Sequence, residues 1–139
     1  MPHFDIIDHT ADIGITAYGN DHAEVFSTAA HAMFSLITEL DNVEEKVSCQ
    51  IEKTEDGMEV LLVSWLNELL YIYETEHMLL KRFDIIHLDK KHIEAIAWGE
   101  KIDRAKHLLT TDIKAATYHL LSIERTQDGG YAARVIFDT

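Results

Sequence analysis

The period of the apolar positions changes along the chain and marks out its elements. Residues 4–7 and 13–18 are rich in β-branched and aromatic side chains and predict two extended strands. Gly19-Asn20 supplies a turn, and Asp21 with Glu24 three residues on forms a capping box that predicts a helix over 22–38. Phe26, Ala29, Ala30, Met33, Phe34 and Ile37 recur there at three- and four-residue steps, with His31 on the flank. Residues 39–45 are polar and acidic, after which Val47, Cys49 and Ile51 alternate with Ser48 and Gln50 as in a half-buried strand. Asp56 and Glu59 repeat the capping pattern ahead of the longest helix, whose stripe of Met58, Leu61, Leu62, Trp65, Leu66, Leu69, Leu70 and Tyr73 reads as core, with a partner groove the less frequent use of such a stripe.

The last half of the chain returns to strands. Residues 83–88 and 92–98 flank the charged link Asp89-Lys90-Lys91 and predict a hairpin closed by Gly99. A loop or short turn carrying Glu100, Lys101, Ile102, Asp103 and His107 follows, then an alternating run from Ile113 to Arg125. Asp128-Gly129-Gly130 signals a hairpin turn, so the run before it pairs antiparallel with the terminal strand ending in Val135-Ile136-Phe137-Asp138. The order is strands, helix, strand, helix, then four strands, which predicts an α+β fold: a single domain over 1–139, mainly antiparallel β-sheet packed with two principal α-helices.

Composition narrows the functional classes. At 139 residues the chain is long enough for one core, and 47% hydrophobic with 27% charged residues is the balance of a folded domain. The net charge of −13 argues against direct binding of a phosphate backbone, since that affinity comes from Lys and Arg displacing counterions. The carboxylate surplus suits a hard divalent cation or a basic protein partner, and equally serves solubility alone. Cys49 is the only cysteine, which excludes a disulfide framework and fits a reducing, cytoplasmic setting; a small core residue is its expected role. Nowhere do about 18 apolar residues run uninterrupted, so no membrane span is expected.

Candidate chemistry gathers at the two ends of the chain. The stretch Asp8-His9-Thr10-Ala11-Asp12 places carboxylates, an imidazole and a hydroxyl between two strands, and Asp138 interrupts the apolar terminal strand in the same way. Oxygen sites for hard cations need several carboxylates that the fold must bring together, which makes Asp12 and Asp138 the leading pair, with the carboxylate of Thr139 as an adjoining group. A solvated strand end and a frayed terminus are the alternative. Asp8, His9 and His119 would ligate, orient a ligand or exchange protons. Lys114 either neutralises the carboxylates or lies on the solvent face. Of the nine histidines, His3, His22, His77, His87 and His92 carry no usable pattern. Phosphate-loop, dinucleotide-turn, zinc-helix and serine-elbow motifs are absent.

In combination, Asp8-His9-Thr10-Ala11-Asp12-Ile13-Gly14, the block from Gly99-Glu100 through Asp103 to His107, Ile113-Lys114-Ala115-Ala116-Thr117-Tyr118-His119 and the terminal Val135-Ile136-Phe137-Asp138 resemble the archease family over the whole chain. Ala116 departs mildly from the valine many members carry there. The resemblance implies a protein cofactor of the RtcB-type tRNA-splicing ligase, one that promotes guanylylation of the ligase histidine and hence multiple turnover without being the ligase itself. It also implies that the family's metal-binding aspartates fall on Asp12 and Asp138 with Thr139 beside them, with calcium the expected ion and magnesium or manganese as substitutes. Two other readings remain: a metal-dependent hydrolase built on Asp8, His9, Asp12, His119 and Asp138, and a chaperone-like modulator of an RNA methyltransferase.

Overall fold

A computed structural model describes residues 2–8 and 12–139. Strands β1 (His3–Asp8) and β2 (Ile13–Gly19) lead into α1 (His22–Ile37). The capping box forms as the sequence predicts: the Glu24 amide donates to Asp21 Oδ1 at 2.8 Å, while Glu24 Oε1 reaches back to the Asn20 amide at 2.6 Å. Strand β3 (Val47–Thr54) precedes α2 (Met58–Glu76), and β4 (Met78–Leu88), β5 (His92–Lys101), β6 (Ala115–Ala116), β7 (Ser122–Arg125) and β8 (Tyr131–Asp138) complete the chain.

The strands form two antiparallel sheets, one ordered β1-β2-β8-β6 with β7 also paired to β8, the other β3-β5-β4. Helix α1 packs on β2 and β8 of the first sheet and on β4 of the second, so it ties the two together. Helix α2 lies against β3, β4, β5 and β6. Its predicted stripe is core: Leu61, Leu62, Trp65, Leu66 and Leu69 are wholly inaccessible, each worth roughly 1.5–3 kcal/mol of transfer free energy. Trp65 satisfies its indole N–H on the Phe26 carbonyl of α1 at 3.0 Å and meets Phe83 of β4 edge-on. The architecture is α+β, as expected.

Three local expectations are corrected. Gly57, not Asp56, stands at the start of α2, at φ 122° and with no side-chain cap; its own amide is taken by the Lys90 carbonyl, which leaves Asp56 outside the helix. Strand β4 begins at Met78, five residues before the predicted hairpin strand, because His77 adopts the left-handed conformation (φ 55°) that stops α2 abruptly. The run from Ile113 to Arg125 is two short strands. Between Ala116 and Ser122 the chain spends five residues against two on β8, between Phe137 and Arg134, so the surplus leaves the ladder as a turn at Tyr118–Leu121 with Leu120 at φ 54°.

Candidate functional site

The ends of the chain meet through β2 and β8. Their register runs from Gly19 opposite Tyr131 to Ile13 opposite Phe137, the last pair of the ladder, with Asp12 just before Ile13 and Asp138 just after Phe137. On its other side Asp138 stands opposite Ala115 of β6, and its carbonyl accepts the Lys114 amide at 2.8 Å. The apolar neighbours pack this end of the ladder: Ile15, Val135 and Phe137 are buried, and Gly14 has no side chain because Ile136 and the Val135 carbonyl occupy the space a Cβ would need. Asp12, Asp138 and Thr139 are all exposed. A hard cation needs several oxygen donors converging on it, and these two carboxylates flank the same end of the β2–β8 ladder. Among the described residues neither carboxylate is ion-paired with a lysine, arginine or histidine, so the donor set is compatible with a divalent ion.

The supporting candidates are placed less closely. Asp8 stands across the β1–β2 ladder from Ile13, one position from Asp12, and is exposed. His9 lies outside the described residues. Lys114 is exposed and reaches Asp138 through its backbone amide. His119 is exposed in the Tyr118–Leu121 turn, where its amide donates to Thr117 Oγ1 at 3.2 Å, near the Ile136 level of β8.

The end of β5 holds a buried acid. Glu100, 6% exposed, accepts from the Glu44 amide (2.8 Å), Lys106 Nζ (2.8 Å) and His107 Nε2 (3.1 Å), with Lys46 Nζ at 3.6 Å. His107 is itself oriented: the Asp103 amide donates to Nδ1 at 3.0 Å, which leaves the ring proton on Nε2, facing Glu100 and the Asn42 carbonyl. Burial pushes the Glu100 carboxyl up, but the hydrogen bonds from Lys106, the Glu44 amide and His107 outweigh it and hold the group at about 2. This network fastens the 103–107 turn to the body and explains why Glu100, Asp103 and His107 occur together. A second cluster escapes motif reading altogether: His92 lies against Glu52 and Glu94 on the outer face of the β3-β5-β4 sheet. Its available signal was the spacing His92-x-Glu94, which puts both on one face of a strand.

Known proteins match nearly the whole chain. The model of the archease protein family (MTH1598/TM1083) matches residues 4–139. The chain belongs to the archease family. It is 39% identical over 139 residues to protein archease of Sulfolobus acidocaldarius, covering 99% of each chain. Protein archease of Methanosarcina mazei is 37% identical, with 97% of this chain and 94% of that one covered. Among solved archease-fold structures, Methanobacterium thermoautotrophicum protein 1598 superposes with a TM-score of 0.83 at 40% identity and 98% coverage of both chains. An archease from Thermotoga maritima, described as a possible chaperone, gives a TM-score of 0.61 at 25% identity, covering 96% and 94%. Among the described residues of this archease, no helix is long and apolar enough to cross a membrane.

Proposed function

We propose that this protein is a non-catalytic activator of the RtcB-type RNA ligase in tRNA splicing, promoting ligase guanylylation through a divalent ion held by Asp12, Asp138 and Thr139. The reading is supported by one observation above all, the register that pairs the two ends of the chain as far as Ile13 and Phe137, the neighbours of the exposed Asp12 and Asp138. A calcium ion, or magnesium or manganese in its place, would supply positive charge against phosphate oxygens during nucleotidyl transfer. The chain's own part is to carry two carboxylates at the ends of packed strands and present them at the rim. Tyr118 and Leu120, exposed in the neighbouring turn, give this rim apolar contact surface for a protein partner. The acidic surface leaves the RNA to the ligase, and the protein works in the cytoplasm.

Asp12→Ala and Asp138→Ala are expected to abolish stimulation of ligase guanylylation while circular dichroism and melting temperature stay within a few degrees of the parent. Full stimulation by either variant would remove the ion from the mechanism. Turnover of nucleotides or phosphoesters by the isolated protein would favour the hydrolase reading instead. A chaperone-like action on an RNA methyltransferase is the second reading, favoured by exposed Ile6, Tyr71, Ile86 and Leu108 and by the description of the Thermotoga relative. It predicts suppressed aggregation of that enzyme without any metal dependence.

A further inference from the structure

We infer that Glu52, His92 and Glu94 form a second metal site, distinct from the Asp12–Asp138 edge and suited to a borderline divalent ion such as zinc. Their ligand atoms lie within 4.8 Å of one another, the one such group of three among the described residues. His92 Nε2 is 2.9 Å from Glu52 Oε2 and 3.8 Å from Glu94 Oε1. Tetrahedral zinc with bonds near 2.0–2.1 Å needs its ligands about 3.3 Å apart, so exposed side chains close the site by small rotamer movements.

The strand pairing gives this cluster a reason to bind a cation. Glu52 and Glu94 are directly opposed in the β3–β5 ladder, an arrangement of like charges that destabilises a sheet. Among the described residues neither carboxylate is paired with a lysine or arginine; the neighbouring Lys53 goes instead to Glu68 on the helix side. The imidazole is also held for ligation. Thr54, opposite His92 in the same ladder, brings Oγ1 to 2.8 Å from Nδ1, which aims Nε2 between the two carboxylates. Without metal, Nε2 carries the ring proton toward Glu52 and Nδ1 accepts from the hydroxyl. With metal, Nε2 offers its lone pair and the proton sits on Nδ1, donating to Thr54 Oγ1, the outer partner that ligating histidines ordinarily have. Imidazole with two carboxylates selects zinc, nickel or copper over calcium or magnesium, which prefer oxygen alone. Three protein ligands leave a fourth position facing the shallow depression lined by Gln50, Ile86 and Ile96, open to water or to a donor from a partner.

Zinc titration of the full chain by equilibrium dialysis and calorimetry tests the site. The parent is expected to bind one zinc that His92→Gln and Glu94→Gln weaken at least about 100-fold and Thr54→Val weakens about 10–100-fold, the effect of removing an outer partner. The double variant Asp12→Asn/Asp138→Asn is expected to keep that zinc. In the parent's nitrogen-15 spectrum, zinc is expected to move the His92 Nε2 resonance and leave the proton on Nδ1. Zinc binding unchanged by His92→Gln, binding lost in the Asp12→Asn/Asp138→Asn variant, or no binding below millimolar zinc would each overturn the assignment.

Discussion

At the scale of single residues, the most informative side chain is Glu100, a buried carboxylate whose three donors come from two separate places in the sequence, Glu44 and the pair Lys106-His107. Because its carboxyl is held at about 2 against an ordinary 4.5, the network's contribution is complete above pH 4.5 and is lost as the pH falls through about 2. Glu100→Gln is expected to destabilise the protein at pH 6 by about 2 kcal/mol, below the 3–5 kcal/mol of a fully buried pair because Lys106 and Lys46 can turn to solvent. Urea midpoints of parent and variant are expected to converge as the pH is lowered from 4.5 toward 2; a constant gap would show that the acid contributes by shape alone. Sequence reading reached these residues only as a block that recurs in a family, because nothing in the local pattern says that Glu100 turns inward from a strand end. Gly99 was legible as a special position but for the wrong reason. It closes no hairpin: it sits inside β5, where a Cβ would run into the Leu79 carbonyl oxygen of β4.

At the scale of elements, what the sequence carried was periodicity, and periodicity served the helices well. The α1 capping box and the α2 leucine stripe are local signals, and both appear where they were read. The boundary between α2 and β4 was illegible because Met78, Leu79, Leu80, Lys81 and Arg82 suit a continuing helix, and only the non-local pairing with β5 draws them into a strand. The switch is a single residue, His77, in a left-handed conformation costly for anything but glycine. His77→Gly is expected to keep the fold and raise stability by about 1 kcal/mol, since the exposed imidazole is dispensable and the backbone carbonyl still accepts from the Ile102 amide at 2.8 Å. A thermal melt checks this, and a fall in melting temperature would mean that the His77 ring itself holds the junction. That the two ends of the chain meet was legible in outline, because Asp12 and Asp138 interrupt the apolar strands that pair as β2 and β8; the opposition of Glu52 and Glu94 was not, because it depends on a β3–β5 register that joins strands 38 residues apart at the His92–Thr54 pair.

At the scale of the whole molecule, charge is the property that reaches furthest from the surface. A net charge of −13 on 139 residues gives a field that would attract the basic, RNA-handling partner proposed above before any contact forms. Steering of this kind accelerates association about 10- to 1,000-fold, and it decays with the screening length, which shrinks from about 10 Å at 0.1 M salt to about 3 Å at 1 M. The association rate with the proposed ligase partner is therefore expected to fall at least about tenfold over that range, while the dissociation rate, which close contacts would govern, changes little. The carboxylates at the two candidate metal sites make the field adjustable, because each divalent ion bound removes two negative charges from one face. Stopped-flow association measured across salt, with and without calcium, separates the effects. Steering by the whole surface predicts the same salt slope in Asp12→Asn/Asp138→Asn, whereas a slope that collapses in that variant would locate the attraction at the rim carboxylates, and a rate indifferent to salt would mean that the acidic surface serves solubility only.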